Sequence, residues 1–478
     1  MGSVILFYPK TGADEVCRVP LSVLAVASPL EKAGFIPKII DARVEHDYKR
    51  MLRTSLNDAI CVGISSMTGY QIYGGLEAAR LIREKDPHIP IIWGGFHPTL
   101  LPSQTIKHHL VDIIVRGQGE VTITEVVRRL DKNLPLKDLL GITYKEGGKI
   151  IKTQNRPISD VNDFPPMAYH LVDVEKYLIH DISPRSLDYI SSRGCPHRCG
   201  FCAISRFYER KWSGLKTKRV LDELEYLVDR YKVNGIKFED DNFFTDKERV
   251  HKICKGMIER GLDIRWHASC RCEYLKGYDN DLLNLMKKSG CHTLAFGAES
   301  GSQKVLNAIK KDILVEDTLK SAEVCRLYGI RGAYSFMMGF PFETKDDLAQ
   351  TMTLMDRLRS VNPDVEMNMF IYTPFPGTPL YDLAIKHGFR EPKSLEEWSY
   401  FSHWKIVVPW IDKKYKRLLE ELSYLSWFAF SLGLENRVKK KYFKLSVKIL
   451  HKLSLLRWKY RFFEFPIEWE LIKRLRPR

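Results

Sequence analysis

Three cysteines stand close together in Cys195-Pro196-His197-Arg198-Cys199-Gly200-Phe201-Cys202. Thiolates are good ligands for iron–sulfur clusters, and three of them on a cubane leave one iron open to an exchangeable ligand. A four-cysteine electron-transfer site has no such corner. Short loops let the sulfurs converge, and Gly194 and Gly200 permit the backbone turns this needs. The rival is a zinc site made from these cysteines and His197. Zinc sites usually pair one Cys-x2-Cys with a distant second pair, and none is visible here. Of the other cysteines, Cys17, Cys61, Cys254, Cys291 and Cys325 lie in or beside apolar runs and read as core thiols.

Further polar groups recur where apolar runs end. Glu239-Asp240-Asp241-Asn242 follows one run, and adjacent carboxylates repel unless they meet cations or donors such as an ammonium group. A solvated acidic turn is the other reading. Arg271 follows the next run, where it can pair a carboxylate with two parallel bonds. Gly297-Ala298-Glu299-Ser300-Gly301 follows the one after. These runs predict strands at Leu187–Ser191, Gly235–Glu239, Ile264–Ala268, Thr293–Gly297, Arg331–Met338 and Glu366–Tyr372, with helices such as Thr217–Tyr231 between them. Six β/α units suggest a barrel or partial barrel with its site at the strand C-termini.

A separate strand–helix series precedes it, with strands at Val4–Tyr8, Lys38–Asp41, Ile60–Ser65, Ile89–Trp93 and Ile113–Val115 and helices such as Leu21–Lys32 and Tyr70–Lys85. This spacing argues for a parallel sheet covered on both faces. The loops after its strands carry Ser65 to Gly69, Gly94 to Pro98, and Gly117 to Glu120, where ligands bind in an open sheet. Alternatively, these glycines only make tight turns. The expected fold is α/β: a Rossmann-like parallel sheet domain (1–135), a hairpin and linker (136–186), a partial (β/α)6 TIM-type barrel (187–390), and a helical C-terminal extension (391–478).

The Cys-x3-Cys-x2-Cys run after the first barrel strand resembles the radical S-adenosylmethionine (SAM) superfamily. Residues 1–130 resemble the cobalamin-binding domain of one branch of it, through Pro20, Asp41, Ser65–Thr68, Gly94–Pro98 and Gly117–Glu120. The likeness covers about residues 1–390. It implies a 4Fe–4S cluster on Cys195, Cys199 and Cys202, whose open iron holds SAM. One electron then cleaves the sulfonium to a 5′-deoxyadenosyl radical. Asp240, Asp241, Asn242, Arg271, Glu299 and Ser300 are the implied SAM contacts. Ser65, Thr68, Gly94, Gly95, His97, Gly117, Gly119 and Glu120 are the implied cobalamin contacts. An Asp-x-His-x-x-Gly cobalt-ligand motif is absent, since Ala42-Arg43 follows Asp41, and the lower cobalt ligand stays open. His97 is either that ligand or a loop-packing residue. The two cofactors together imply methylation of an unactivated carbon. Cyclisation or rearrangement, as in anaerobic magnesium-protoporphyrin ester cyclases, is the runner-up, and a non-catalytic sensor the third reading. The methylthiolating group places three more cluster cysteines near the N-terminus, where this chain has only Cys17 and Cys61. A one-electron reductant such as ferredoxin or flavodoxin is the expected partner.

The chain has 478 residues and a net charge of +16, which is unevenly spread. Residues 411–478 hold eighteen Lys and Arg against seven Asp and Glu. Nucleic-acid binding by the whole protein is therefore not expected. In the tail, Lys441, Lys444, Lys448, Lys452 and Lys459 recur at helical spacing beside Leu445, Ile449, Leu453, Leu456 and Tyr460, with Trp427, Trp458 and Trp469 nearby. Such a helix lies on an anionic membrane, caps the barrel with a solvated lysine face, or turns its basic face to the phosphates of a nucleic acid. A membrane contact would favour a lipid-like substrate over another small molecule. Val4 to Tyr8 is too short for an export signal, and Leu422 to Leu434 is too short to span a bilayer. The expected location is the cytoplasm, with at most a peripheral membrane contact.

Overall fold

Short runs rich in Ile and Val become the strands of two sheets, and the amphipathic segments between them become covering helices. The computed structural model describes residues 2–12, 17–401, 408–432 and 441–463, so Trp469 lies outside the described residues. The first unit contains β1 (Ser3–Tyr8), α1 (Leu21–Lys32), β2 (Ile36–Asp41), α2 (Tyr48–Ser55), β3 (Ala59–Ser65), α3 (Tyr70–Lys85), β4 (Ile91–Gly94), β5 (Ile113–Val115), α4 (Gly119–Asp131), β6 (Ile142–Glu146) and β7 (Lys149–Lys152). The strand order is β2-β1-β3-β4-β5-β6-β7. Strands β1 to β5 run parallel, and the predicted hairpin β6–β7 extends the sheet antiparallel from β5.

Both faces of this sheet are covered. Ile5, Val62 and Ile91 point into one core, while Val4, Cys61 and Ile92 point into the other. Each such aliphatic side chain contributes about 1.5–3 kcal/mol when fully buried. A one-residue slip would exchange the two faces, so register follows from the packing.

The second unit contains β8 (Ser186–Tyr189), β9 (Ser192–Gly194), β10 (Trp212–Gly214), α5 (Thr217–Tyr231), β11 (Gly235–Phe238), α6 (Lys247–Glu259), β12 (Arg265–Cys270), α7 (Asn280–Lys288), β13 (Cys291–Glu299), α8 (Val315–Leu327), β14 (Arg331–Met338), α9 (Lys345–Val361) and β15 (Glu366–Ile371). Six strands pair in parallel and in chain order, β8-β11-β12-β13-β14-β15. Burial alternates along most of these strands: Phe238, Trp266, Phe296, Tyr334 and Met369 are buried, whereas Lys237, His267, Ala295, Ser335 and Asn368 line a partly open face. The buried set meets the helices, and the open face is left for other work.

Helices α10 (Lys413–Phe430) and α11 (Lys441–Lys459) follow. The Ser426 hydroxyl of α10 accepts the Met369 N–H of β15 at 3.0 Å, covering an edge strand that would otherwise invite pairing. Residues between β15 and α10 return to the first unit, where Phe389, Leu395 and Trp398 join its core. The predicted linker is also tied down. Tyr169 donates to the Asp188 carbonyl at 2.9 Å, and Tyr177 donates to the Asp41 carboxylate at 3.0 Å.

Candidate functional site: two sheet ends facing one cavity

After β8 the chain turns through Ser191 into the short strand β9, which pairs antiparallel with β10 and delivers Cys195. Gly194 has φ +81°, and a Cβ there would stand 2.1 Å from the Lys211 carbonyl oxygen. Gly200 serves differently: its N–H donates to the Ile309 carbonyl at 2.8 Å, and its carbonyl accepts the Leu380 N–H at 2.9 Å. The cysteine loop is thus strapped down on both sides.

The carboxylates after β11 hold this loop. Asp240 accepts from the Ser191 N–H and hydroxyl, each at 2.7 Å, and from the Ser192 hydroxyl at 2.5 Å. Arg249 backs it and donates to the Ser191 carbonyl at 2.8 Å. Asp241 accepts the Gly194 N–H at 2.8 Å, and burial pushes its pKa up to about 6. Asn242 donates to the Tyr274 hydroxyl at 3.0 Å and toward Cys195 Sγ at 3.6 Å. Its Oδ1 is buried and has no hydrogen-bond partner among the described residues.

Cys199 is buried, and Arg271 Nη1 donates to its Sγ at 3.6 Å. The other guanidinium nitrogens are also engaged, Nε by Glu273 and Nη2 by the Lys311 carbonyl. Lys311 in turn pairs with Glu299 at 2.8 Å, and both side chains are buried. Glu299 holds a left-handed φ of +62° at the end of β13. Ser300 faces the other way, 3.1 Å from the Thr351 hydroxyl of α9. Burial raises the Cys202 pKa to about 11, against N–H groups of Ile204 and Ser205 that favour its thiolate.

These surroundings fit an iron–sulfur cluster. Cys195 and Cys199 each meet a side-chain N–H donor and Cys202 meets backbone N–H groups, while two buried cations stand beside Cys199, as a cluster of net negative charge requires. His197, the fourth ligand of the zinc reading, has its Nε2 2.6 Å from the Tyr274 hydroxyl.

The strand ends of the first unit face this wall across a cavity of about 440 Å3. Ser65, Gly94, Gly95, Gly117, Gly119 and Glu120 line it on one side, and Ser192, Arg193, Tyr208, Glu239 and Asp241 on the other. It continues between the sheet and helices α1 and α4, where Leu6, Val26, Ile92, Val115 and Ile123 make it apolar. Gly117 has φ +73° with nothing within 4 Å of its Cβ position, so any side chain there would enter open space. An apolar slot with a glycine rim fits a large, flat cofactor with an extended tail. Glu120 at the start of α4 forms an ion pair with Arg193, which joins the two walls.

Thr68 and His97 do not reach the cavity. They bond each other at 3.1 Å, and the His97 ring meets Trp398 edge-on at 5.5 Å. Burial lowers the His97 pKa to about 3, so the ring is neutral. Its Nδ1 meets Thr68, while its Nε2 is buried with no hydrogen-bond partner among the described residues. Sequence reasoning missed Glu239, Arg193 and Tyr208. The signal for Arg193 was its place two residues before Cys195. Glu239 stood in the acidic run, but only strand geometry separates it from Asp240.

With two sheets, a triple-cysteine loop and a shared cavity in place, the comparisons with known proteins give the class. The Radical SAM superfamily profile matches residues 189–355, and the B12 binding domain profile matches residues 15–127. The chain belongs to the radical SAM superfamily, in the branch that carries a B12-binding domain, and it is an enzyme whose family cofactors are a 4Fe–4S cluster, SAM and cobalamin.

Among individual relatives, it is 33% identical to an uncharacterized methyltransferase of Pyrococcus horikoshii over 77% of this chain and 79% of that protein. It is 28% identical to the anaerobic magnesium-protoporphyrin IX monomethyl ester cyclase of Rubrivivax gelatinosus over 78% of this chain and 68% of that one. The solved structure of the cobalamin-dependent SAM radical enzyme OxsB shares the fold with a TM-score of 0.75, at 18% identity, covering 95% of this chain and 72% of that chain.

Proposed function

We propose that this enzyme methylates an unactivated carbon of a small-molecule or lipid-like substrate. The observation that carries this reading is the shared cavity, where the cobalamin-side loops and the chain leading to Cys195 face each other and are joined by Glu120 and Arg193. Bound there, the cluster and SAM would supply one-electron cleavage of a sulfonium, and cobalamin a methyl group. Cys195, Cys199 and Cys202 would ligate the cluster. Asn242 Oδ1, Asp241 and Glu239 are the acceptors placed to meet an ammonium group. Asp240, Arg271, Glu299 and Ser300 would position the loop and its surroundings rather than touch SAM. Ser65, Gly94, Gly95, Gly117, Gly119 and Glu120 would border cobalamin.

In this reading residues 1–135 bind cobalamin, 136–186 join the units, 187–390 form a partial (β/α)6 barrel, and 391–478 form a basic helical region. The open face of β11 to β15 would receive the substrate. A reductant such as ferredoxin or flavodoxin would deliver the electron. A cytoplasmic location with a peripheral membrane contact belongs to the same reading. The likeness to the Rubrivivax cyclase supports a second outcome, radical cyclisation without methyl transfer.

Anaerobic reconstitution with reductant and SAM, followed by mass analysis of treated extracts, separates these readings. Release of 5′-deoxyadenosine with a product heavier by one methylene supports methylation. Loss of two hydrogens instead moves the reading to cyclisation, and a reconstituted protein that releases no 5′-deoxyadenosine ends both.

A further inference from the structure

Helix α11 contains six Lys and Arg and no acidic residue in KYFKLSVKILHKLSLLRWK. One face is packed. Ser454 and Trp458 are buried, Trp458 donates to the Asp356 carboxylate of α9 at 2.7 Å, and the His451 ring bonds the Phe428 carbonyl of α10 at 2.8 Å. The opposite face is exposed although its residues are apolar: Leu445 is 63% exposed, Ile449 50%, Leu453 43%, Leu456 53% and Tyr460 70%. At 100° per residue these five fall within one arc of about 80°. Lys448, Lys452 and Lys459 are exposed along its border, at neighbouring helical positions.

Contiguous apolar surface of this kind is rare on a lone protein and marks a binding face. We propose that this face of α11 docks on an anionic membrane surface, apolar row into the headgroup boundary and lysine row on the lipid phosphates. The charge pattern selects this occupant. Nucleic acid would use the lysines but leave five apolar side chains in water. A second copy in face-to-face contact would bring two lysine rows together without a carboxylate on either helix. No helix among the described residues is long and apolar enough to cross a bilayer, so the contact is peripheral. This deepens the membrane clause of the proposed function and rests on it, because a docked enzyme would meet a lipid-like substrate at its own surface.

The test is flotation of the full, anaerobically reconstituted chain with vesicles of phosphatidylcholine alone or mixed with phosphatidylglycerol. Binding is expected only to the mixed vesicles and should fall at least tenfold in Ile449→Gln/Leu456→Gln and in Lys448→Glu/Lys452→Glu. These side chains lie on the surface, so iron content and 5′-deoxyadenosine release should stay at the parent level in both variants. Absence of binding to anionic vesicles overturns the proposal, as does binding that neither variant weakens. Equal binding to phosphatidylcholine alone overturns the lysine part. A dimer that the apolar variant dissociates, with flotation unchanged, assigns the face to a second copy instead. Loss of 5′-deoxyadenosine release with flotation intact would sink the enzymatic reading and leave this one standing.

Discussion

Between Ser191 and Cys202, side chains hold the backbone in place: Asp240 takes three bonds from two serines, Asp241 takes the Gly194 N–H, and Arg271 spends all its nitrogens on Cys199, Glu273 and Lys311. The facing wall is built the other way. Its rim is glycine and serine, its depth is aliphatic, and the His97–Thr68 pair lies outside the cavity. A cluster loop must fix three sulfurs to a fraction of an ångström, which takes a network of satisfied polar groups. A cofactor slot must mainly be the right shape and stay empty, which takes small residues and a firm core behind them. The two walls should therefore fail differently when altered.

The same substitution at two glycines gives the sharpest contrast. Gly194→Ala places a Cβ 2.1 Å from the Lys211 carbonyl oxygen at φ +81°. The left-handed strain alone costs about 1–2 kcal/mol, and the backbone collision adds to it. Iron content after anaerobic reconstitution should fall to near zero, with cobalamin absorbance retained. Gly117→Ala shares the positive φ but meets nothing within 4 Å. Its melting temperature should stay within a few degrees of the parent, with cluster content unchanged and cobalamin affinity at least tenfold lower. Retained iron in the first variant or retained cobalamin affinity in the second would erase the distinction between the walls.

Within the cluster wall, clamp and charge can be separated. Asp240→Ala leaves the Ser191 N–H and hydroxyl buried without an acceptor, a loss of about 1–3 kcal/mol for each, and leaves the Ser192 hydroxyl only the Asn242 carbonyl at 3.5 Å. Lower thermal stability and lower iron content are expected, with unchanged SAM affinity in the fraction that retains its cluster. A large SAM defect in that fraction would make Asp240 a ligand contact after all. Arg271→Gln removes a cation beside Cys199 and should make the cluster harder to reduce, moving its midpoint potential to more negative values in a redox titration followed by electron paramagnetic resonance. An unshifted potential with weakened SAM binding would return Arg271 to the carboxylate role its sequence position suggests.

Much of the fold could be read from the sequence because its signals are periodic and local. Helices α1, α3 and α5 run over Leu21–Lys32, Tyr70–Lys85 and Thr217–Tyr231 as predicted. Strands differed at their ends, since β13 runs Cys291–Glu299 and carries Glu299 itself in a left-handed turn, which apolar periodicity does not encode. The cysteine loop was legible because three thiols at short spacing have few other uses. The direction of Asp240, Arg271 and Ser300 was not. Each sits at the expected strand end, but its partners lie 49, 72 and 51 residues away in Ser191, Cys199 and Thr351. Likewise, the return of Trp398 to His97 depends on a contact that no local pattern announces.

The last contrast separates the units by pH. His97 of the first unit titrates at about 3 because burial opposes its charged form, against an ordinary value of 6.5. Between these values the unfolded chain binds more protons than the folded one, so stability falls as pH drops through the window and this penalty is absent above it. Glu343 of the second unit has the opposite sign. Burial raises its pKa to about 7 from 4.5, so the folded chain holds the extra proton and stability falls as pH rises from 4.5 to 7. In denaturant titrations, His97→Gln should therefore flatten the acid limb below pH 6.5, while Glu343→Gln should flatten the limb between pH 4.5 and 7. A parent acid limb that His97→Gln leaves unchanged would mean that the ring already takes a proton in the fold, and that the first unit holds it less tightly than the contacts with Thr68 and Trp398 indicate.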